Sequence, residues 1–117
     1  LIKNKIPVMG HLGLLPQSAK GKFKSKGKND KEIKQLINDA HLLEKNGVFA
    51  IVLECVKTPI AKKITQNLSI PTIGIGSSVH CDGQVLVTDD LLGLNQTKIK
   101  FVKKFLNIKK FINLQNE

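Results

Sequence analysis

Apolar residues fall along this chain in two rhythms. Ile6 to Met9, Val48 to Leu53 and Pro71 to Ile75 are continuous runs, the pattern of parallel strands buried on both faces. Between the first two the spacing turns helical: Ile33, Leu36, Ile37, Ala40 and Leu43 share one face, Asn29 is placed to cap, Glu32 follows three residues on, and Gly47 ends the helix. Between the second and third, Thr58 reads as a cap with Pro59 in the first helical position, and Ile60, Ala61, Ile64 and Leu68 form the buried stripe. The order is β-α-β-α-β.

A fourth run, Gln84 to Val87, also reads as a strand. Only seven residues, Ser77 to Gly83, precede it, too few for a covering helix, so a helix start is the other reading. Thr97 is placed to cap a last helix with Phe101, Phe105, Ile108 and Ile112 inward and Lys98, Lys103, Lys104 and Lys110 toward water. Leu1 to Lys5 reads like the tail of a helix, so the chain is expected to open in mid-structure. Three or four parallel strands cannot close a barrel, and an open sheet this small leaves an apolar edge. The expectation for residues 1–117 is therefore one partial α/β domain, half of a (β/α)₈ barrel.

Composition narrows the partners. No apolar run reaches membrane-spanning length and no secretory signal opens the chain, which makes a cytoplasmic protein the default. Cys55 and Cys81 sit in no ligand spacing and fit two reduced thiols. The net charge of +10, with six lysines in the twelve positions Lys20 to Lys31, raises nucleic acid as a partner. Every basic residue is Lys, however, and Phe23 is the one aromatic in that stretch, so the charge reads as a solvated surface. Lys20 to Lys28 reads as a loop.

Of the nine acidic residues, Glu54 alone follows directly on a buried apolar run. Desolvation there raises a carboxyl pKa toward neutrality, as a general acid or base requires, and the C-terminal end of a barrel strand is where catalytic groups sit. A buried Glu paired with a Lys or a helix end would give the same pattern. His11 holds the corresponding place after the first run, between Gly10 and Gly13. A neutral imidazole there could donate to a substrate carboxylate or carbonyl, or simply cap a strand end. Gly74-Ile75-Gly76-Ser77-Ser78 could form an anion nest but reads first as a turn. His80-Cys81-Asp82 are adjacent and lack a second cluster, which argues against a metal site, and Asp89-Asp90 read as solvent-facing.

Taken together, Pro7-Val8-Met9-Gly10-His11-Leu12-Gly13-Leu14 with Pro16-Gln17-Ser18, Leu53-Glu54-Cys55-Val56, Ile70-Pro71-Thr72-Ile73-Gly74-Ile75-Gly76 and Asp82-Gly83-Gln84 resemble, in order and spacing, the ketopantoate hydroxymethyltransferases. The likeness runs from about Pro7 to Leu94 and weakens beyond. It implies the C-terminal half of a (β/α)₈ barrel that transfers a hydroxymethyl group from 5,10-methylenetetrahydrofolate to 3-methyl-2-oxobutanoate, giving 2-dehydropantoate in pantothenate biosynthesis. It also implies a magnesium ion that chelates the keto acid, and a homo-oligomer when intact. Glu54 matches the family's proton acceptor and His11 a histidine that contacts the keto acid.

The family's magnesium ligands and its substrate-binding lysine belong to earlier strands with no counterpart here, so residues 1–117 alone are expected to be inactive. Lys22, Ser25 and Lys26 replace a Gly, an apolar residue and a Gln usual in the family's loop. Ser77-Ser78 replaces an Ala-Gly pair, and Asp89 stands where a His is common. Two other readings compete: another magnesium-dependent lyase or transferase of 2-oxo acids, and a basic nucleic-acid-binding module.

Overall fold

A computed structural model describes residues 1–15, 25–95, 99–108 and 112. They belong to two compact units, Leu1–Val85 and Leu86–Glu117. The first opens with a 3₁₀ turn, Ile2–Asn4, where a helix tail was expected. Strands β1 (Met9–Gly13), β2 (Ala50–Glu54), β3 (Thr72–Ile75) and β4 (Gly83–Gln84) then form one sheet in that order, with helices α1 (Asp30–Lys45) and α2 (Thr58–Asn67) in the first two crossovers. Every neighbouring pair is parallel, so the α/β architecture is as the apolar rhythm indicated.

The element ends show where local chemistry decides. At the start of α1 the Asn29 side chain accepts from the Glu32 N–H at 2.9 Å. Glu32 reaches back to the Gly27 and Lys28 N–H groups, both at 2.8 Å, rather than to the cap residue itself. Gly47, at φ 86°, turns the chain out of α1, with its N–H on the Glu44 carbonyl. α2 begins one residue before the expected start: Lys57, not Thr58, is the cap, because its carbonyl already accepts from Ile60 and Ala61. β1 begins at Met9, three residues into the apolar run. Pro7 has no N–H to offer a ladder, and Ile6 is exposed.

The expectation that the strands are buried on both faces holds for one face only. Gly10, Ile51, Leu53 and Thr72 point at the helices: a Cβ on Gly10 would lie 3.0 Å from Leu43 Cδ1, and the Thr65 and Thr72 hydroxyls are 2.8 Å apart. Ile51 and Leu53 are wholly buried there, packed with Leu36, Ala40, Val56, Ala61 and Ile64. Each such side chain contributes roughly 1.5–3 kcal/mol. Both helices lie on one side because β-α-β crossovers in a twisted parallel sheet share one hand. The opposite face carries Met9, His11, Val52, Glu54, Ile73 and Ile75, all half-buried or exposed.

The fourth run does pair as a strand, one residue earlier than expected, opposite Ile73 and Gly74. Its crossover needs no helix because Asp82 is tied to the start of β3: its carboxylate accepts from the Thr72 N–H at 2.8 Å and the Thr72 hydroxyl at 2.9 Å. Cys81 and Gln84 then cover Gly74, where a Cβ would meet both side chains within 3.1 Å.

In the second unit, α3 is a single turn, Thr88–Leu91. The expected last helix is not continuous: residues 99–107 are turns and irregular backbone. The N–H groups of Phe105 and Leu106 go to the Leu91 carbonyl and so close the end of α3, whereas Ile108, whose N–H goes to Leu92, and Ile112 are helical. Thr97, the proposed cap, lies outside the described residues, as do Pro16 to Lys24, which hold the Pro16-Gln17-Ser18 motif and the first part of the lysine-rich stretch. Asp90 is buried and accepts from the Asn95 amide at 2.8 Å, which corrects its reading as solvent-facing. Among the described residues no helix is long and apolar enough to cross a membrane.

Gly13 is the position where the first unit tolerates least. It sits at φ 103°, and a Cβ there would run into the Glu54 carbonyl and lie 2.9 Å from Val56 Cγ2. Gly13→Ala is expected to lose roughly 2–5 kcal/mol, from backbone strain plus overpacking. Gly83→Ala, where a Cβ meets nothing closer than 3.9 Å, should be neutral or slightly stabilising. Urea midpoints of the two variants check this, and equal midpoints would contradict it.

Candidate active site

Glu54 is the last residue of β2, and His11 is the third of β1, opposite Val52 in the register. Paired residues of parallel strands share a face, so Val52, Glu54 and His11 all point to the open side. His11 and Glu54 are diagonal neighbours, within reach of long side chains. His11 Nε2 lies 3.3 Å from Glu54 Oε2. The two sequence candidates are thus brought together, with one adjustment: His11 lies inside the strand, which continues to Gly13.

The glutamate is held by its backbone. Its carbonyl accepts from the Leu14 N–H at 2.9 Å, and the next N–H, that of Cys55, donates to Ile75 at 2.9 Å. Cys55 then turns left-handed, at φ 53°, and its carbonyl takes the Lys26 N–H at 2.8 Å. Lys26 in turn accepts from the Lys57 N–H at 3.0 Å, which stitches the segment before α1 to the start of α2. Sequence reasoning passed over Cys55, because nothing in a buried thiol announces a left-handed backbone. The carboxylate of Glu32, anchoring Gly27 and Lys28, was read only as a helix start.

The electrostatics follow from this placement. The Glu54 side chain keeps 14% of its exposure and that of His11 36%. Burial pushes the Glu54 carboxyl above its ordinary value, and the His11 charge opposes that. Burial also pushes the Cys55 thiol up, reinforced by the neighbouring Glu54 charge, so Cys55 is an inert thiol. A raised carboxyl at a strand end, beside an accessible imidazole, has the properties of a proton acceptor with a hydrogen-bond donor next to it.

The remaining candidates separate. Cys81 is buried against the sheet, His80 is exposed, and Asp82 is held by Thr72, which keeps its carboxyl below the usual range. Gly74 and Ile75 belong to β3, and the chain bends out of the strand only from Gly76: the Ser77 hydroxyl donates to the Val56 carbonyl at 3.0 Å, and the Ser78 hydroxyl accepts the His80 N–H at 3.2 Å. No group of three or more His, Cys, Asp or Glu side chains gathers among the described residues. Magnesium asks for an octahedral set of oxygen donors, and one carboxylate with an imidazole against it does not fit that ion.

A family model described as ketopantoate hydroxymethyltransferase matches residues 1–115, so the likeness extends well past Leu94. The chain is 66% identical over 113 residues to the 3-methyl-2-oxobutanoate hydroxymethyltransferase of Pelagibacter ubique, covering 97% of this chain and 44% of that protein. It is 56% identical over 111 residues to the enzyme of that name from Pseudothermotoga lettingae, covering 92% of this chain and 42% of that protein. For the Clostridium botulinum protein the identity is 53% over 111 residues, with 92% and 40% covered. The chain thus spans less than half the length of these relatives.

Because the folded-state pKa of Glu54 lies above the unfolded Glu value of 4.5, the folded protein binds more protons between those two values. Stability should therefore fall as pH rises through that window. Glu54→Gln has no such titration, so wild type should lose ground to the variant as pH rises from the unfolded value through the raised folded one, and hold a constant offset once Glu54 is ionised in both states. Urea midpoints of both proteins at several pH values test this; a difference that does not vary with pH would contradict it.

Proposed function

The chain belongs to the ketopantoate hydroxymethyltransferase family, and from that premise we propose that it forms the proton-abstracting part of an enzyme that transfers a hydroxymethyl group from 5,10-methylenetetrahydrofolate to 3-methyl-2-oxobutanoate. The observation that carries the reading is the raised, half-buried carboxyl of Glu54 at the C-terminal end of β2, against His11 on the same open face. Family membership supports assigning such a pair to this reaction.

In this reading the Glu54 carboxylate takes the proton from C3 of the keto acid, leaving an enolate. The enolate carbon bonds to the folate's methylene carbon; with one water consumed, tetrahydrofolate leaves and 2-dehydropantoate forms. Glu54 suits the first step because burial has already removed part of the solvation that would make it a weaker base. His11 Nε2–H holds the substrate carboxylate, fixing C3 beside Glu54. The complete protein closes the sheet into a (β/α)₈ barrel, with the open face of β1 to β4 turned inward and the site at the strands' C-terminal ends.

Magnesium, which the family resemblance implies, would be held by residues other than those described, and no step above is routed through it. Negative charge that develops on the keto oxygen needs a Lewis acid or strong donors, which Glu54 and His11 do not supply. Residues 1–117 alone are accordingly proposed to be inactive. The same reading makes the enzyme cytoplasmic and oligomeric, with small molecules and no nucleic acid as partners.

The direct test is exchange of the C3 proton of 3-methyl-2-oxobutanoate for deuterium, followed by proton NMR without folate. The complete native protein should catalyse it with magnesium present, and Glu54→Gln should slow it about 10²–10⁴-fold, the usual contribution of a general base. Residues 1–117 alone should give the uncatalysed rate. Undiminished exchange by Glu54→Gln would remove Glu54 from the role, and magnesium-dependent exchange by residues 1–117 would overturn the claim of inactivity.

A further inference from the structure

Resting on the function proposed above, we propose that His11 serves two carboxylates in turn. In the empty site it holds Glu54; the carboxylate of an incoming 2-oxo acid then takes the imidazole over, so Glu54 becomes the stronger base only when substrate is present.

Three features of the pair lead to this. The 3.3 Å separation is long for a charge-assisted hydrogen bond, which closes to about 2.7–2.9 Å, so the contact is loose enough to exchange. The imidazole is the outer member of the pair, with 36% of its side chain exposed against 14% for Glu54. A ligand approaching the open face of the sheet therefore meets His11 first. Finally, among the described residues no second cation is set to replace it. The β3 residue paired with Glu54 is Ile75, the neighbour on its own strand is the Cys55 thiol, and the Lys26 amine lies 3.8 Å from Glu32.

The handover has a definite chemical consequence. While paired, Glu54 is a carboxylate partly neutralised by His11, and its hold on a proton is weakened. Once the imidazole turns to the substrate, Glu54 stays in the same half-buried place without its His11 partner and with a second carboxylate nearby. Both changes favour the protonated form. Proton affinity thus rises at the moment C3 is presented, and the empty site is spared a strongly basic group. No bond is made or broken in this step; a hydrogen-bond donor changes acceptor.

The test uses the complete native protein with magnesium and the deuterium exchange assay. kcat/KM reports the free protein's groups and kcat those of the complex. The acid limb of kcat should therefore lie above that of kcat/KM in wild type. In His11→Gln the kcat/KM limb should move up by about one pH unit or more, the effect of removing one opposite charge at this range, while the kcat limb stays. Coincident limbs in wild type, or a His11→Gln variant that raises KM and moves neither limb, would overturn the handover and leave His11 as a binding residue. Equal movement of both limbs would overturn it too, since His11 would then stay on Glu54 throughout.

A second measurement needs no variant. Carbon-13 NMR titration of the Glu54 carboxyl should give a higher pKa with saturating 3-methyl-2-oxobutanoate. It should give an unchanged pKa with 3-methyl-2-butanone, which has the same ketone and no carboxylate. An equal rise with both would assign the effect to desolvation and sink the proposal. Loss of the assigned role altogether would show differently, as full exchange activity in Glu54→Gln.

Discussion

The end of β2 is the point from which the rest of the first unit is organised. Three main-chain hydrogen bonds converge there: Leu14 onto the Glu54 carbonyl, Cys55 onto Ile75, and Lys26 onto Cys55. They require the chain to leave β2 through a left-handed Cys55, a conformation that costs a non-glycine residue about 1–3 kcal/mol. Three bonds of about 1 kcal/mol each offset it. The same convergence explains why Gly13 is glycine, because any side chain there would occupy the space of the Glu54 carbonyl. β1, β3, the segment before α1 and the start of α2 all meet at this one turn. The carboxylate they hold is therefore fixed by backbone, not by side-chain packing that a neighbour's motion could loosen.

Electrostatic tension at Glu54 is a consequence of that fixity. A free side chain would rotate its carboxylate into water; here the backbone directs it over a sheet whose neighbouring positions are Val52, Ile73 and Ile75. Burial raises its pKa and His11 partly lowers it again, and the balance leaves a group whose proton affinity responds to what His11 is doing. Asp82 shows the opposite solution within the same unit. Its carboxylate accepts from the Thr72 N–H and hydroxyl, its pKa is lowered, and it serves as a structural tie. Environment raises the proton affinity of one carboxylate and lowers that of the other.

Much of this is legible in the sequence. The change from continuous runs to helical spacing gave β1 to β3 with α1 and α2 between them, and the isolated Glu54 and glycine-flanked His11 were found by asking which polar residues follow buried runs. What was missed depends on contacts between residues distant in sequence. Phe101 and Phe105 share helical spacing with Ile108, but the backbone donors of residues 105 and 106 are taken by the Leu91 carbonyl, and periodicity carries no information about that competition. Asp90 is buried because Asn95 reaches back to it. Cys55 was unreadable for a related reason: its strain is imposed by hydrogen bonds to Ile75 and Lys26, not by its own preference.

One-sided coverage of the sheet is what makes Glu54 useful. Apolar residues facing α1 and α2 bind the layers together, whereas the residues that alternate with them on each strand face away, and His11 and Glu54 belong to that second set. A carboxylate on the helix-facing side, between Leu53 and Val56, would lie among wholly buried side chains, where it would neutralise by holding its proton. At the sheet's rim, fully solvated, it would be too weak a base to act near neutral pH. The alternation of strand side chains places Glu54 between these limits, desolvated by its neighbours yet open to a ligand from one side. Moving β2 by a single residue would send Glu54 into the core and Leu53 out of it. Strand register, fixed at Gly13 and Cys55, is therefore the feature on which both the packing of the core and the chemistry of the open face rest.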